Sequence, residues 1–221
     1  MRKLFFYLFV VFILFSCCFQ VEAGYRPVIS GNYESGNRLY TDLYQEDNEE
    51  MIDEYNYNLL WLKYKKKITS SEYYYFKIQY YKKKYLISDT YNNIGLDLWG
   101  NYTYQITDKL RSRWKGNIKD KNYYSKSEKS YQSYRLKYEL DYDYNQKNDY
   151  NFYIQRQWND FIQLDDKDYI RDKIKVEWEH EYTENIKIMT DFKYERQVYD
   201  ISSDSSNKYG KQFSIGFKYK L

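Results

Sequence analysis

Between residues 134 and 144 the chain alternates without a break. Tyr134, Leu136, Tyr138, Leu140, Tyr142 and Tyr144 fall in one phase, and Arg135, Lys137, Glu139, Asp141 and Asp143 fall in the other. A period of two belongs to a strand with one apolar and one polar face, whereas a helix needs apolar residues three and four apart. The pattern recurs in Tyr74/Phe76/Ile78/Tyr80, in Ile94/Leu96/Leu98/Tyr102/Tyr104/Ile106 and in Leu110/Trp114/Ile118. It returns in Ile174/Val176/Trp178/His180/Tyr182, in Ile186/Ile188/Phe192/Tyr194 and in Phe213/Ile215/Phe217/Tyr219/Leu221. Beyond residue 24 no window carries a helical period, so the chain reads as all-β. At Leu59-Leu60 the phase slips, and a β-bulge is expected there.

Composition narrows the class. The 221 residues include 32 Tyr and are 22% aromatic, yet the mean hydropathy is −0.96. Disordered chains are poor in aromatics, and a helical membrane protein would be far more apolar. A net charge of +3 gives little pull on nucleic acid. One Pro, eight Gly and one His exclude collagen-like, linker-rich and His-rich metal-binding classes.

The N-terminus reads as a targeting segment. Arg2 and Lys3 precede an apolar run from Leu4 to Phe15, and Val21-Glu22-Ala23 places a cleavage site between Ala23 and Gly24. A spanning helix needs about 20 apolar residues, so this run is too short to be an anchor. Cleavage removes both cysteines, Cys17 and Cys18, leaving no disulfide framework. A second reading takes Leu14-Phe15-Ser16-Cys17 as a lipobox with Cys17 acylated; the bulky Phe15 fits it poorly.

The connections alternate between short (near 68–72, 107–108, 145–149, 183–185) and long (near 45–54, 86–93, 120–130, 159–168, 199–209). Short turns on one side and long loops on the other are the habit of transmembrane β-barrels. With a first strand near 37–45, ten strands are expected, and eight to twelve are compatible. The expected fold is thus a transmembrane antiparallel up-and-down β-barrel over 37–221, after a signal peptide (1–23) and an N-terminal periplasmic extension (24–36). Closure satisfies every backbone group in hydrocarbon.

At the C-terminus, Ser214-x-Gly216-x-x-Tyr219-x-Leu221 resembles the terminal assembly signature of small single-chain Gram-negative outer-membrane β-barrel proteins. The resemblance implies that Ser214, Gly216, Tyr219 and Leu221 are recognised by the barrel assembly machinery. It also implies a place in the bacterial outer membrane, among outer-membrane lipid and lipopolysaccharide. It identifies no subfamily.

In that reading the charged faces line the interior as a ladder: Arg111, Arg113, Arg135, Lys137, Glu139, Asp141, Lys173, Lys175, Glu177, Glu179, Glu181 and Lys187. Antiparallel register sets Arg111 and Arg113 near Asp141 and Glu139, and Lys187 near Glu181. A largely side-chain-filled, narrow lumen follows. The function expected is a structural or surface-interaction role through the outer loops; the alternative is a narrow channel for small solutes. A soluble or lipid-anchored β-protein, with the apolar faces turned inward around a ligand, is the remaining possibility.

No catalytic residue, cofactor or metal is expected. His180, the lone histidine, shares the apolar phase with Trp178 and Tyr182 near a short turn, where it reads as an interfacial aromatic rather than a general base. The acidic clusters Glu46/Asp47/Glu49/Glu50/Asp53/Glu54 and Asp165/Asp166/Asp168 lack EF-hand spacing and read as solvated loops. Lys65-Lys66-Lys67 and Lys82-Lys83-Lys84 sit at opposite strand ends, as boundary anchors.

Overall fold

A computed structural model describes residues 26–43, 50–86, 89–164, 167–199 and 207–219. The signal-peptide segment, Leu221, Glu46, Asp47, Glu49, Asp165 and Asp166 lie outside the described residues. Ten strands follow one another: β1 (Val28–Leu43), β2 (Glu50–Lys67), β3 (Glu72–Tyr85), β4 (Asn93–Gln105), β5 (Leu110–Tyr123), β6 (Tyr131–Asn145), β7 (Asn148–Phe161), β8 (Tyr169–Thr183), β9 (Ile186–Tyr199) and β10 (Lys208–Tyr219). Each pairs antiparallel with its neighbours in the chain, giving one sheet in the order β1 to β10.

The expected closed barrel is corrected here. Among the described residues β1 and β10 do not pair with each other, so the sheet is open, with both strands as edges. Val28, Ile29 and Tyr33 on β1 and Phe213, Ile215 and Phe217 on β10 are exposed. Alternation specifies the faces of each strand and, with turn lengths, its neighbours. It carries nothing about whether the first strand meets the last.

Two smaller expectations also change. The first strand begins at Val28, well before residue 37, because the polar, Gly-containing stretch from Ser30 to Gly36 pairs with Lys63 to Tyr57 of β2. No bulge lies at Leu59-Leu60, where the register of β2 runs unbroken against both neighbours. Both faces of that strand carry large residues, Leu59 and Trp61 on one and Leu60 and Leu62 on the other. The slip therefore belongs to the sequence and not the backbone. Register shifts occur instead beside short turns, at Asp143/Asn145 and Glu181/Thr183.

The short turns share one device. A side-chain oxygen accepts a hydrogen bond from the backbone N–H two residues on: Thr69 from Ser71 (3.2 Å), Thr107 from Lys109 (3.3 Å), Asn145 from Lys147 (2.9 Å) and Thr183 from Asn185 (3.3 Å). The long-loop ends share another. The backbone N–H of Tyr85, Tyr123, Phe161 and Tyr199 donates to the side chain of Asn92 (2.6 Å), Ser130 (2.9 Å), Asp168 (2.5 Å) and Asn207 (3.3 Å). Positions 69, 107, 145 and 183 are 38 residues apart, as are 85, 123, 161 and 199. The strand starts Glu72, Leu110, Asn148 and Ile186 keep the same spacing. The sheet is a 38-residue hairpin unit repeated in register.

Burial is inverted relative to a water-soluble sheet. Asp97 and Glu139 are only 6% and 5% exposed, whereas Trp114 and Leu136 on the opposite face are 58% and 52% exposed. The covered face is the polar one, holding Asn93, Asn101, Thr103, Asn117, Ser133, Asn159 and Gln197. Side chains two strands apart meet on it: Arg135 of β6 lies over Trp99 of β4 (5.9 Å), and Lys119 of β5 over Tyr81 of β3 (5.7 Å). The sheet therefore curls with its charged face inward and its Leu, Ile, Tyr, Phe and Trp face outward. No helix among the described residues is long and apolar enough to cross a membrane.

Candidate functional site

Most of the charged and polar side chains that meet one another converge on the inner face, and its character changes along the sheet. On β5 and β6 the register sets Arg111 opposite Asp141 and Arg113 opposite Glu139. Arg111 Nε donates to Asp141 (3.1 Å), Arg113 Nη2 reaches the other oxygen of Asp141 (2.5 Å), and Asn151 adds a third donor (2.7 Å). Glu139 accepts from Lys115 and Lys137 and lies 3.3 Å from Arg113 Nε. One buried carboxylate is thus ringed by three cations, an arrangement that offsets the desolvation of each charge. On β8 and β9, Lys175 meets Glu177 (2.5 Å) and Asp191 (3.8 Å), Lys187 meets Glu181 (3.2 Å), and Arg171 meets Glu195 (3.3 Å).

Most residues of the expected charge ladder are therefore on this face and in ion pairs. Arg135 instead lies over Trp99, and Lys173 over Tyr153 at 5.7 Å. Glu179 sits exposed near a short turn, opposite Asp149 and Met189. Ser214, Gly216 and Tyr219 of the terminal signature all lie in edge strand β10.

The lysines of β2 to β5 behave differently. Lys63 stands over Tyr75 (4.3 Å), Lys65 over Tyr73 (4.8 Å), Lys77 over Trp61 (5.0 Å), Lys83 over Tyr55 (4.6 Å) and Lys121 over Tyr123 (4.6 Å). A ring face attracts a cation but does not neutralise it, so this wall keeps its positive charge. Asp97 is its buried acid. Above it, at the long-loop ends, Tyr55–Tyr85–Tyr91 and Tyr131–Phe161–Tyr169–Tyr199 form chains of ring contacts with centroids 5.1 to 6.5 Å apart. Among the described residues, buried polar atoms without a protein partner include Asn93 Oδ1, Asp97 Oδ1, Trp99 Nε1, Arg135 Nε and Asn159 Nδ2. All belong to inner-face residues, and such atoms call for polar company within the curl.

The lysine-on-tyrosine wall and the aromatic collar were not identified from sequence, where aromatics were assigned to the outer face. The signal was phase: Tyr73 and Tyr75 are in step with Lys77 and Lys83, and Tyr131 with Ser133 and Arg135. The two lysine runs do lie at opposite strand ends, but each alternates between faces. His180 is on the outer face, stacked on Trp178 (5.6 Å); Asn148 Oδ1 lies 3.0 Å from His180 Nδ1 and accepts from Trp178 Nε1 at 3.0 Å. Among the described residues no three His, Cys, Asp or Glu side chains are grouped to hold a metal ion.

No protein-family model and no curated protein matches this chain. Among solved structures it is similar to the NanC porin, with a TM-score of 0.53 and 11% identity over 88% of this chain and 99% of that one. It is also similar to the KdgM porin in complex with disordered oligogalacturonate, with a TM-score of 0.41 and 11% identity over 89% of this chain and 98% of that one. At this identity the likeness is one of fold: the chain has a β-strand-rich fold structurally related to an outer-membrane porin.

Proposed function

We propose that this protein is embedded in the bacterial outer membrane, after export through a cleaved signal peptide, and that its inner face takes small anionic solutes. The observation that carries the first part is the inverted burial, with charged residues covered and the apolar face left to its surroundings. In water such a face would cost about 25 cal/mol for every Å² left uncovered; in hydrocarbon it costs nothing. Strands of 12 to 18 residues exceed the roughly 9–11 that a tilted membrane strand requires. The porin-related fold is consistent with that setting. The same burial speaks against a soluble β-protein holding an apolar ligand, since the inner face is charged.

The second part rests on the lysines over rings. A face that combines lysines outside ion pairs with aromatic rings suits a solute carrying carboxylates on a body that packs on rings, such as an acidic sugar. The ion-paired wall of β6 to β9 narrows the remaining space.

The test is ion selectivity in planar bilayers, together with vesicle uptake of an acidic monosaccharide against its neutral analogue. Preference for the anion, reversed in the K77E/K121E variant, is the expected result. Equal uptake of acidic and neutral sugars, unchanged in the variant, would contradict the proposal.

A further inference from the structure

Most of the outer face is apolar, with Lys66, Lys82, Lys84, Asp120, Asp160 and Lys211 among its charged exceptions, and on it one cross-strand row joins three charged side chains. Arg156 of β7, Asp172 of β8 and Arg196 of β9 are direct register partners. Arg156 donates from Nε to Asp172 Oδ1 (2.6 Å) and from Nη2 to Oδ2 (2.9 Å), and Arg196 Nη2 donates to Oδ2 (2.6 Å). The carboxylate is covered, at 22% exposure, while the two guanidinium side chains stay open at 51% and 43%. Their neighbours on the face are Ile154, Ile170, Ile174 and Tyr194.

Three observations point the same way. First, the cluster keeps a net positive charge, and Asp172 engages only some of the five N–H donors each guanidinium offers. The donors left over form a planar, paired array suited to a phosphate. Second, the row lies near the long-loop end: Asp172 follows closely on Tyr169 at the start of β8, and Arg196 closely precedes Tyr199 at the end of β9. In outer-membrane β-proteins the long loops face outward. Third, the repeat sets two of the three residues apart. One or more 38-residue units away, Arg156 is matched by Tyr80, Ile118 and Tyr194, and Asp172 by Leu96 and Tyr134, while Arg196 is matched by Lys82, Asp120 and Trp158. Charges at 156 and 172 are therefore not a demand of the hairpin unit.

From this geometry we infer that Arg156 and Arg196, held apart and oriented by Asp172, bind a phosphate group of an outer-leaflet lipid whose chains lie along the apolar residues below. The inference rests on the membrane reading above. Asp172 is a positioning residue that also keeps the two arginines from repelling each other when no lipid is bound.

The test uses the full chain, reconstituted in vesicles containing lipopolysaccharide, then extracted and examined for retained lipid by native mass spectrometry. Wild-type protein is expected to retain phosphorylated lipid at least tenfold over the dephosphorylated form. R156Q/R196Q is expected to lose that preference, and R156K/R196K to keep part of it. Inorganic phosphate alone is expected not to compete at millimolar concentration, because the site is completed by the acyl chains. Equal retention of phosphorylated and dephosphorylated lipid by the wild type would overturn the inference, even if the glutamine variant failed to fold. Preference persisting in a folded R156Q/R196Q would also overturn it. Failure of the protein to float with vesicles at all would instead sink the membrane reading.

Discussion

Gly95 shows how one residue can set the inner face. The Tyr81 ring lies across it, so a Cβ placed there would sit 2.3 Å from Tyr81 Cζ, whereas a Cβ on Gly116 meets nothing within 4 Å. Tyr81 is buried and carries Lys119 over its ring. Gly95→Ala should lower stability by about 1–3 kcal/mol, as overpacking does, and disturb the lysine wall; Gly116→Ala should stay within about 0.5 kcal/mol of wild type. Denaturant titration in detergent measures both. Glu139→Gln removes the acid shared by Arg113, Lys115 and Lys137. A fully buried ion pair would lose about 3–5 kcal/mol, and the partly exposed cations reduce this to roughly 1–3 kcal/mol. The same variant should strengthen anion preference in bilayers. The Arg111–Asp141 and Arg113–Glu139 pairings could be read from sequence, because alternation fixes the phase of each strand and a rough antiparallel register across the long β5–β6 connection brings the opposite charges together. The stacking of Lys on Tyr could not, since it depends on which rings share the charged phase and how the sheet curls.

At the scale of the element, the hairpin is the unit of construction. Because units repeat every 38 residues with the same turn and loop-end hydrogen bonds, excising residues 110–147 should join β4 to β7 in the native phase. The product should remain an eight-stranded sheet with unchanged circular dichroism per residue and a preserved protease-resistant fragment. Loss of ordered β-structure would show that the units are not interchangeable. The repeat escaped sequence reading because residue identities drift between units while turn positions and phase persist. Tyr85, Tyr123, Phe161 and Tyr199 keep an aromatic, but their capping partners vary among Asn92, Ser130, Asp168 and Asn207. The faces themselves can be tested within one strand. Ile174→Lys on the outer face of β8 should cost up to about 2–4 kcal/mol if it sits in hydrocarbon, while Lys173→Gln on the inner face should cost less than about 1 kcal/mol.

For the whole molecule, strand number, order and sidedness were legible, and closure was not. Ten strands and the short/long loop rhythm follow from turn residues and period-two phase. The edges depend on how β1 and β10 meet their surroundings, and the first of these was also the strand whose polar Ser30 to Gly36 stretch hid its start. The central claim is that the sheet turns its charged face inward and its aromatic face to lipid. Its most direct test is single-cysteine labelling along β6, at Leu136, Tyr138 and Leu140 against Lys137, Glu139 and Asp141, with a fluorophore quenched from lipid or from water. The account predicts a strict period of two, with even positions quenched by brominated lipid and odd positions by an aqueous quencher. Even positions that are quenched from water, or shielded in a protein that stays soluble without detergent, would contradict it.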